Sequence, residues 1–262
     1  MAEHGSLHSW QHSRGGADLS VPPLVLIHGA GGSQLSWPPQ VRRLAAVPVY
    51  APDLPGHGNS PGPAQGTLSG YVERLTDWLG ELGLPPVVLA GHSMGGAIAL
   101  MLALRQPRRV CGLILVASSA RIRVSPAILE AAAAPDGYQR AIGLVLDSAF
   151  GEAAPAGLRQ QVERQLRAGD QQAFLLDFQA SDRVDLRRRL DEIKAPALVI
   201  AGDQDRLIPA HLAQELVDGL PQAEFHLIPG AGHMLMLEKP DVIAQLISDF
   251  MRRWAPAGAS QR

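Results

Sequence analysis

Short apolar runs alternate along the chain with longer stretches whose apolar residues recur every three or four positions. Leu24 to Ile27, Val87 to Ala90 and Cys111 to Ala117 are nearly unbroken apolar runs, as expected of strands buried on both faces of a parallel sheet. Ala197 to Ala201 and Glu224 to Ile228 resemble them, and Val47 to Ala51 is a weaker instance. Between these runs, Leu68 to Leu82 sets Tyr71, Leu75, Trp78, Leu79 and Leu82 along one helical face. Met94 to Gln106 reads as a helix of small and aliphatic residues closed by Pro107. Ala210 to Leu220 and Asp241 to Trp254 carry the same amphipathic rhythm. Leu7 to Asp18 reads as an antiparallel edge hairpin turning at Arg14-Gly15-Gly16, and Ala255 to Arg262 as a frayed tail. Strands alternating with helices predict an α/β fold, a mostly parallel central sheet flanked by helices on both faces.

From Arg121 to Lys194 the alternation stops and only helical patterns remain: Pro126 to Ala134, Gly137 to Ala149, Pro155 to Ala168 and Gln171 to Ile193. An all-helical insertion cannot extend a sheet. It is expected to cover the carboxyl ends of the strands, where open α/β proteins bind ligands. The expected organisation is a core of residues 1–120 and 195–262 with a helical cap, or lid, at 121–194.

Composition narrows the function. With 262 residues, 46% of them hydrophobic, the chain can bury one substantial core. A formal charge of −2 offers no electrostatic attraction to nucleic acid or an anionic membrane. No run reaches the roughly 18 apolar residues of a spanning helix. The opening MAEHGSLHSWQH lacks a basic segment followed by an apolar one, so no secretory leader and a cytoplasmic location are expected. The single cysteine, Cys111, rules out an internal disulfide and a thiolate cluster. His8, His12 and His28 do not make a metal set, since the four-residue spacing of His8 and His12 falls in the expected hairpin and not on a helix, and neither metal nor cofactor is expected.

The candidate chemistry begins at VVLAGHSMGGA, residues 87–97, where an apolar run ends at a serine fenced by glycines and a helix follows at once. Gly91-His92-Ser93-Met94-Gly95 fits the G-x-S-x-G elbow, a sharp strand-to-helix turn that projects the serine hydroxyl above a helix N-terminus. A serine nucleophile needs a base, and the base needs an orienting acid. His233 stands on the glycine loop Pro229-Gly230-Ala231-Gly232, directly after the last strand-like run. Asp203 and Asp205 both follow another such run. Asp205 is favoured, because the aspartate nearer the strand is better placed to bond within its own turn. For the oxyanion hole, the N–H of Met94 supplies one donor. HGAGG at 28–32 supplies the other, Ala30 before Gly31.

The set HGAGG, DLPGHGNS, GHSMGG, GDQDRLIP and GAGHM, in that order, resembles the α/β-hydrolase superfamily, closest to its single-domain esterases and lactonases with a helical cap. The likeness covers about Pro22 to Arg253 outside the cap. It implies Ser93 as nucleophile, His233 as general base and then acid, Asp205 as orienting acid, and Ala30 and Met94 as oxyanion donors. By the same resemblance Asp53 and His57 belong to a structural turn without a catalytic role. Serine at the elbow disfavours the dehalogenases and epoxide hydrolases of this fold, which use aspartate there. The loop also lacks the HGGG of hormone-sensitive-type lipases and the Gly-Pro-Gly-Ala form common in carbon–carbon bond hydrolases. The expectation is a carboxylic ester hydrolase with a small-molecule ester as its partner. Lactone hydrolysis, acyl transfer or perhydrolysis, and a slow-turnover receptor of the same fold are the alternatives. Gly29, Trp37, Phe150, Phe174, Phe178 and Met234 are the expected substrate-pocket residues.

Overall fold

The computed structural model describes residues 6–13 and 21–254, so the hairpin turn expected at Arg14-Gly16 and the tail from Ala255 lie outside it. The strands are β1 (Ser9–His12), β2 (Leu24–Ile27), β3 (Val49–Pro52), β4 (Val87–His92), β5 (Val110–Val116), β6 (Ala197–Gly202) and β7 (Ala223–Ile228). They form one seven-stranded sheet in the order β1-β3-β2-β4-β5-β6-β7. β1 runs antiparallel to β3 at the edge, and every other neighbouring pair is parallel. The helices are α1 (Pro39–Arg42), α2 (Leu68–Glu81), α3 (Met94–Arg105), α4 (Pro126–Ala133), α5 (Tyr138–Ala149), α6 (Leu158–Arg167), α7 (Gln171–Asp182), α8 (Ala210–Gly219), α9 (Leu235–Glu238) and α10 (Pro240–Trp254).

The period of two along each strand divides the core between the faces. Val25 and Ile27 of β2 pack with Leu75 and Trp78 of α2 and Ile98 of α3 on one face. Leu24 and Leu26 pack with Val41 of α1 and Ile243, Ile247 and Phe250 of α10 on the other. The helix expected over Gln171 to Ile193 ends at Asp182, and Arg187–Glu192 forms a separate 3₁₀ turn. The break has a packing cause: Val184, Leu186, Leu190 and Ile193 turn inward to the sheet core. Helices α4 to α7 instead share their own apolar cluster, including Ile128, Ile142, Val162 and Phe174.

The elbow depends on close backbone approach. A Cβ on Gly91 would lie 2.3 Å from the carbonyl carbon of Gly95, and one on Gly95 would lie 2.4 Å from the Ile27 carbonyl oxygen. Neither neighbour is a side chain that can swing aside. Gly95→Ala is therefore expected to cost about 3 kcal/mol or more, read as a lower urea midpoint. An unchanged midpoint would mean that β2 and α3 are not held this tightly.

Candidate active site

Parallel pairing puts the carboxyl ends of β2, β4, β5, β6 and β7 on one rim of the sheet. The loops carrying HGAGG, Ser93, Asp205 and His233 all leave from that rim. Ser93 has φ 53 and ψ −120, a left-handed backbone that a non-glycine residue adopts only under constraint. The constraint is visible: Ser93 N donates to the Val116 carbonyl at 3.0 Å, and the Ser118 hydroxyl donates to the Ser93 carbonyl at 2.8 Å.

His233 starts from β7, three strand spacings or roughly 14 Å across the sheet from β4. Several bonds bring its loop back. Gly230 N donates to Asp203 Oδ1 at 2.7 Å, and His233 N donates to the Ala149 carbonyl at the end of α5 at 2.9 Å. His92 Nε2 lies 3.0 Å from the His233 carbonyl oxygen, to which it donates. His233 Nδ1 then lies 2.8 Å from Asp205 Oδ2, with both residues buried. Asp205 Oδ1 accepts from Leu207 N and Ile208 N, each at 2.8 Å, so the carboxylate is fixed before it meets the imidazole. Asp203 and Asp205 thus have different partners. Asp203 bonds the neighbouring loop rather than its own turn, and it is Asp205 that caps its own turn.

Ser93 and His233 line the same cavity, about 800 Å³ in volume. Among the described residues the Ser93 hydroxyl has no hydrogen-bond partner, and the recorded bond of the set is the one between His233 and Asp205. The N–H groups of Ala30 and Met94 have no partner among the described residues. Gly31 N is already committed to Asp177 Oδ2 at 2.8 Å, which favours Ala30 over Gly31 as the open donor.

Gly29, Phe174, Phe178 and Met234 of the expected pocket line this cavity. Two others need correction. Trp37 is fully buried among Leu24, Leu26 and Val41 and does not line the cavity. Phe150 caps the end of α5 and packs with the apolar cluster of the inserted helices, away from the cavity wall.

Three residues not singled out from the sequence hold the site together. Glu238 is buried and accepts from Gly232 N, beside His233, and from Gly151 N, just past α5. His92, the variable residue of the elbow, carries the His233 carbonyl. Asp177 on α7 is fully buried and also meets His57 and Tyr71. The only sequence signal for Asp177 is a lone carboxylate inside the apolar run Ala173 to Phe178.

The buried histidines make stability sensitive to acid. Burial, then the charge of His57, lowers the pKa of His28 to about 4. Burial, then the charge of His233, drives His92 well below its ordinary value. Both stay neutral in the fold but take up protons on unfolding below pH about 6.5. Their contribution is complete above that pH and is lost as pH falls toward 4. Glu238, raised by burial despite its two N–H donors, and His57, raised by Asp177, act in the opposite sense and offset part of this loss. The free energy of unfolding is expected to drop by on the order of 1–3 kcal/mol between pH 7 and pH 5. Urea titrations at the two pH values measure it, and equal stabilities would contradict the assignment.

Fold and site together define an enzyme of the α/β hydrolase class. The sequence matches the alpha/beta hydrolase family over residues 24–246, and the chain belongs to that family. It is 29% identical over 260 residues to a pimeloyl-[acyl-carrier protein] methyl ester esterase of Neisseria meningitidis, covering 92% of this chain and 97% of that protein. It is 31% identical to a 2-hydroxymuconate semialdehyde hydrolase of Pseudomonas putida over 87% of this chain and 86% of the relative. The enol-lactonase structure from Burkholderia xenovorans LB400 superimposes with a TM-score of 0.82 at 26% identity, covering 94% of this chain and 96% of that one. None of the described helices is long and apolar enough to cross a membrane.

Proposed function

We propose that the protein is a carboxylic ester hydrolase that works through an acyl-enzyme on Ser93. The observation that carries the reading is the shared cavity: Ser93 and His233 line it, and a buried Asp205 holds the far nitrogen of His233 at 2.8 Å. With Nδ1–H donated to Asp205, the Nε2 lone pair is the one free to accept the serine proton. Ser93 Oγ then adds to the ester carbonyl, and its proton passes to Nε2. The tetrahedral oxygen is held by the N–H groups of Ala30 and Met94, aided by the N-terminus of α3. Collapse breaks the bond to the alcohol, which leaves with the proton from Nε2. Water attacks the acyl-serine, gives its proton to Nε2, and the acid departs as that proton returns to Ser93 Oγ.

The inserted helices α4 to α7 roof the cavity with Ile128, Leu144, Val162, Leu166 and Phe174, so the acyl chain sits against apolar wall. We assign this insertion the role of a lid. Acyl groups of medium length suit a cavity of about 800 Å³ better than acetyl, which would leave most of the wall unfilled. A series of p-nitrophenyl esters from acetyl to palmitoyl is expected to give its highest kcat/KM at intermediate length. A maximum at acetyl or at palmitoyl would refute the pocket assignment.

A lactonase is the second reading, supported by the likeness to the enol-lactonase structure and using the same groups. Five- and six-membered lactones belong in the same panel. Lactone kcat/KM exceeding that of every acyclic ester would move the assignment to lactone hydrolysis.

A further inference from the structure

Helix α7 reaches out of the inserted helices and grips the HGAGG loop at one residue. Gly31 has φ 65, and a Cβ there would lie 2.8 Å from the ring of Phe174. One turn along the same helix face, Asp177 Oδ2 accepts the Gly31 N–H at 2.8 Å. Gly32 N closes the turn onto the Gly29 carbonyl at 3.1 Å, and His28 Nδ1 donates to that same carbonyl at 2.8 Å. Of the amides at 30, 31 and 32, that of Ala30 alone is left without a partner among the described residues.

Burying a carboxylate is costly unless it is fully paired, and an apolar residue would pack on this helix more cheaply. Asp177 is fully buried, and its partners come from three separate elements: Gly31 N after β2, the Tyr71 hydroxyl of α2, and His57 of the DLPGHGNS turn. His57 Nε2 lies 2.8 Å from Asp177 Oδ2, within ion-pair distance. Burial pulls the pKa of His57 down, yet Asp177, the Pro55 carbonyl and Asp53 together raise it above its ordinary value. A protonated His57 neutralises Asp177. That matters here, because a bare carboxylate beside an oxyanion hole would oppose the charge that develops there.

We propose that Asp177 is a positioning residue for the oxyanion hole. By holding the Gly31 N–H it fixes the Ala30–Gly31 peptide, while Gly32 N and His28 Nδ1 hold the carbonyl of the adjoining Gly29–Ala30 peptide, so that the Ala30 N–H between them stays aimed at the substrate carbonyl. The hole is then complete only while α7 is docked on the core. This inference rests on the ester-hydrolase reading of Ser93 and goes beyond it.

The test uses full-length protein with active sites counted by fluorophosphonate titration and kcat expressed per titrated site on p-nitrophenyl butyrate. Asp177→Ala is expected to lower kcat per site by about ten- to a hundredfold, since a misplacement of about 1 Å can cost a hundredfold, with KM changed less than about threefold. Asp177→Asn keeps an acceptor oxygen for Gly31 and is expected to retain more activity than the alanine variant. Independently of turnover, the Gly31 amide is expected to exchange with solvent slowly in the parent and in Ser93→Ala, and quickly in Asp177→Ala. Parental kcat per site in both Asp177 variants would overturn the proposal, as would a loss confined to the number of titratable sites. If Asp177→Ala does not fold, the asparagine variant and the parent's Gly31 exchange decide, and rapid exchange in the parent refutes it. Absence of Ser93-dependent turnover in the parent would defeat the ester-hydrolase reading instead, and the exchange comparison would still report on Asp177.

Discussion

Replacing Ser93 with alanine is expected to lower the turnover of a p-nitrophenyl ester by about three to six orders of magnitude. The size of the effect follows from the role: without Oγ no acyl-enzyme forms, and only substrate binding and the oxyanion donors remain. The fold is expected to survive. Alanine occupies the same backbone conformation at φ 53 as serine does, and the hydroxyl has no partner among the described residues whose loss would leave a buried group stranded. Stability should therefore change by less than about 1 kcal/mol. A thermal melt run beside the kinetics separates lost chemistry from lost structure. An alanine variant with near-parental turnover would remove Ser93 from the reaction.

Asp205→Asn is expected to have the next largest effect, a fall in kcat of about four orders of magnitude. The geometry gives the reason atom by atom. Leu207 N and Ile208 N both donate to Oδ1 at 2.8 Å, so in the variant the amide oxygen is held there. The amide NH₂ then faces His233 Nδ1, where the carboxylate oxygen stood at 2.8 Å. An NH₂ is a donor only, so Nδ1 must become the acceptor and the ring proton moves to Nε2. Nε2 can then no longer take the serine proton. A measured kcat within tenfold of the parent would mean that another group orients the imidazole.

Much of this site was legible because it is local. The apolar runs ended where the strands end to within two residues, since burial on both faces demands unbroken hydrophobicity. The elbow announced itself through glycines whose Cβ positions are filled by backbone. What the sequence hid is what only tertiary contact creates. Glu238 lies six residues beyond the amide of Gly232 and 87 from that of Gly151, and no spacing rule links it to either. Asp177 is 146 residues from Gly31, and in the chain it is one acid in an apolar helix. Trp37 stands close to the HGAGG loop in sequence, but after the turn capped by Ser33 its ring packs among Leu24, Leu26 and Val41 instead of lining the cavity. His57 sits in a structural turn, as Asp53 accepting from Gln34 N and Asn59 N attests, and its ring also lines the cavity and pairs with Asp177.

Ser93 is the proposed nucleophile, and a covalent label reads that directly. Reaction with a fluorophosphonate, followed by digestion and peptide mass mapping, is predicted to give one phosphonyl group per chain, on the peptide carrying Ser93, and none in Ser93→Ala. Labelling on any other residue, or none in protein that is hydrolysing ester at that moment, would contradict it.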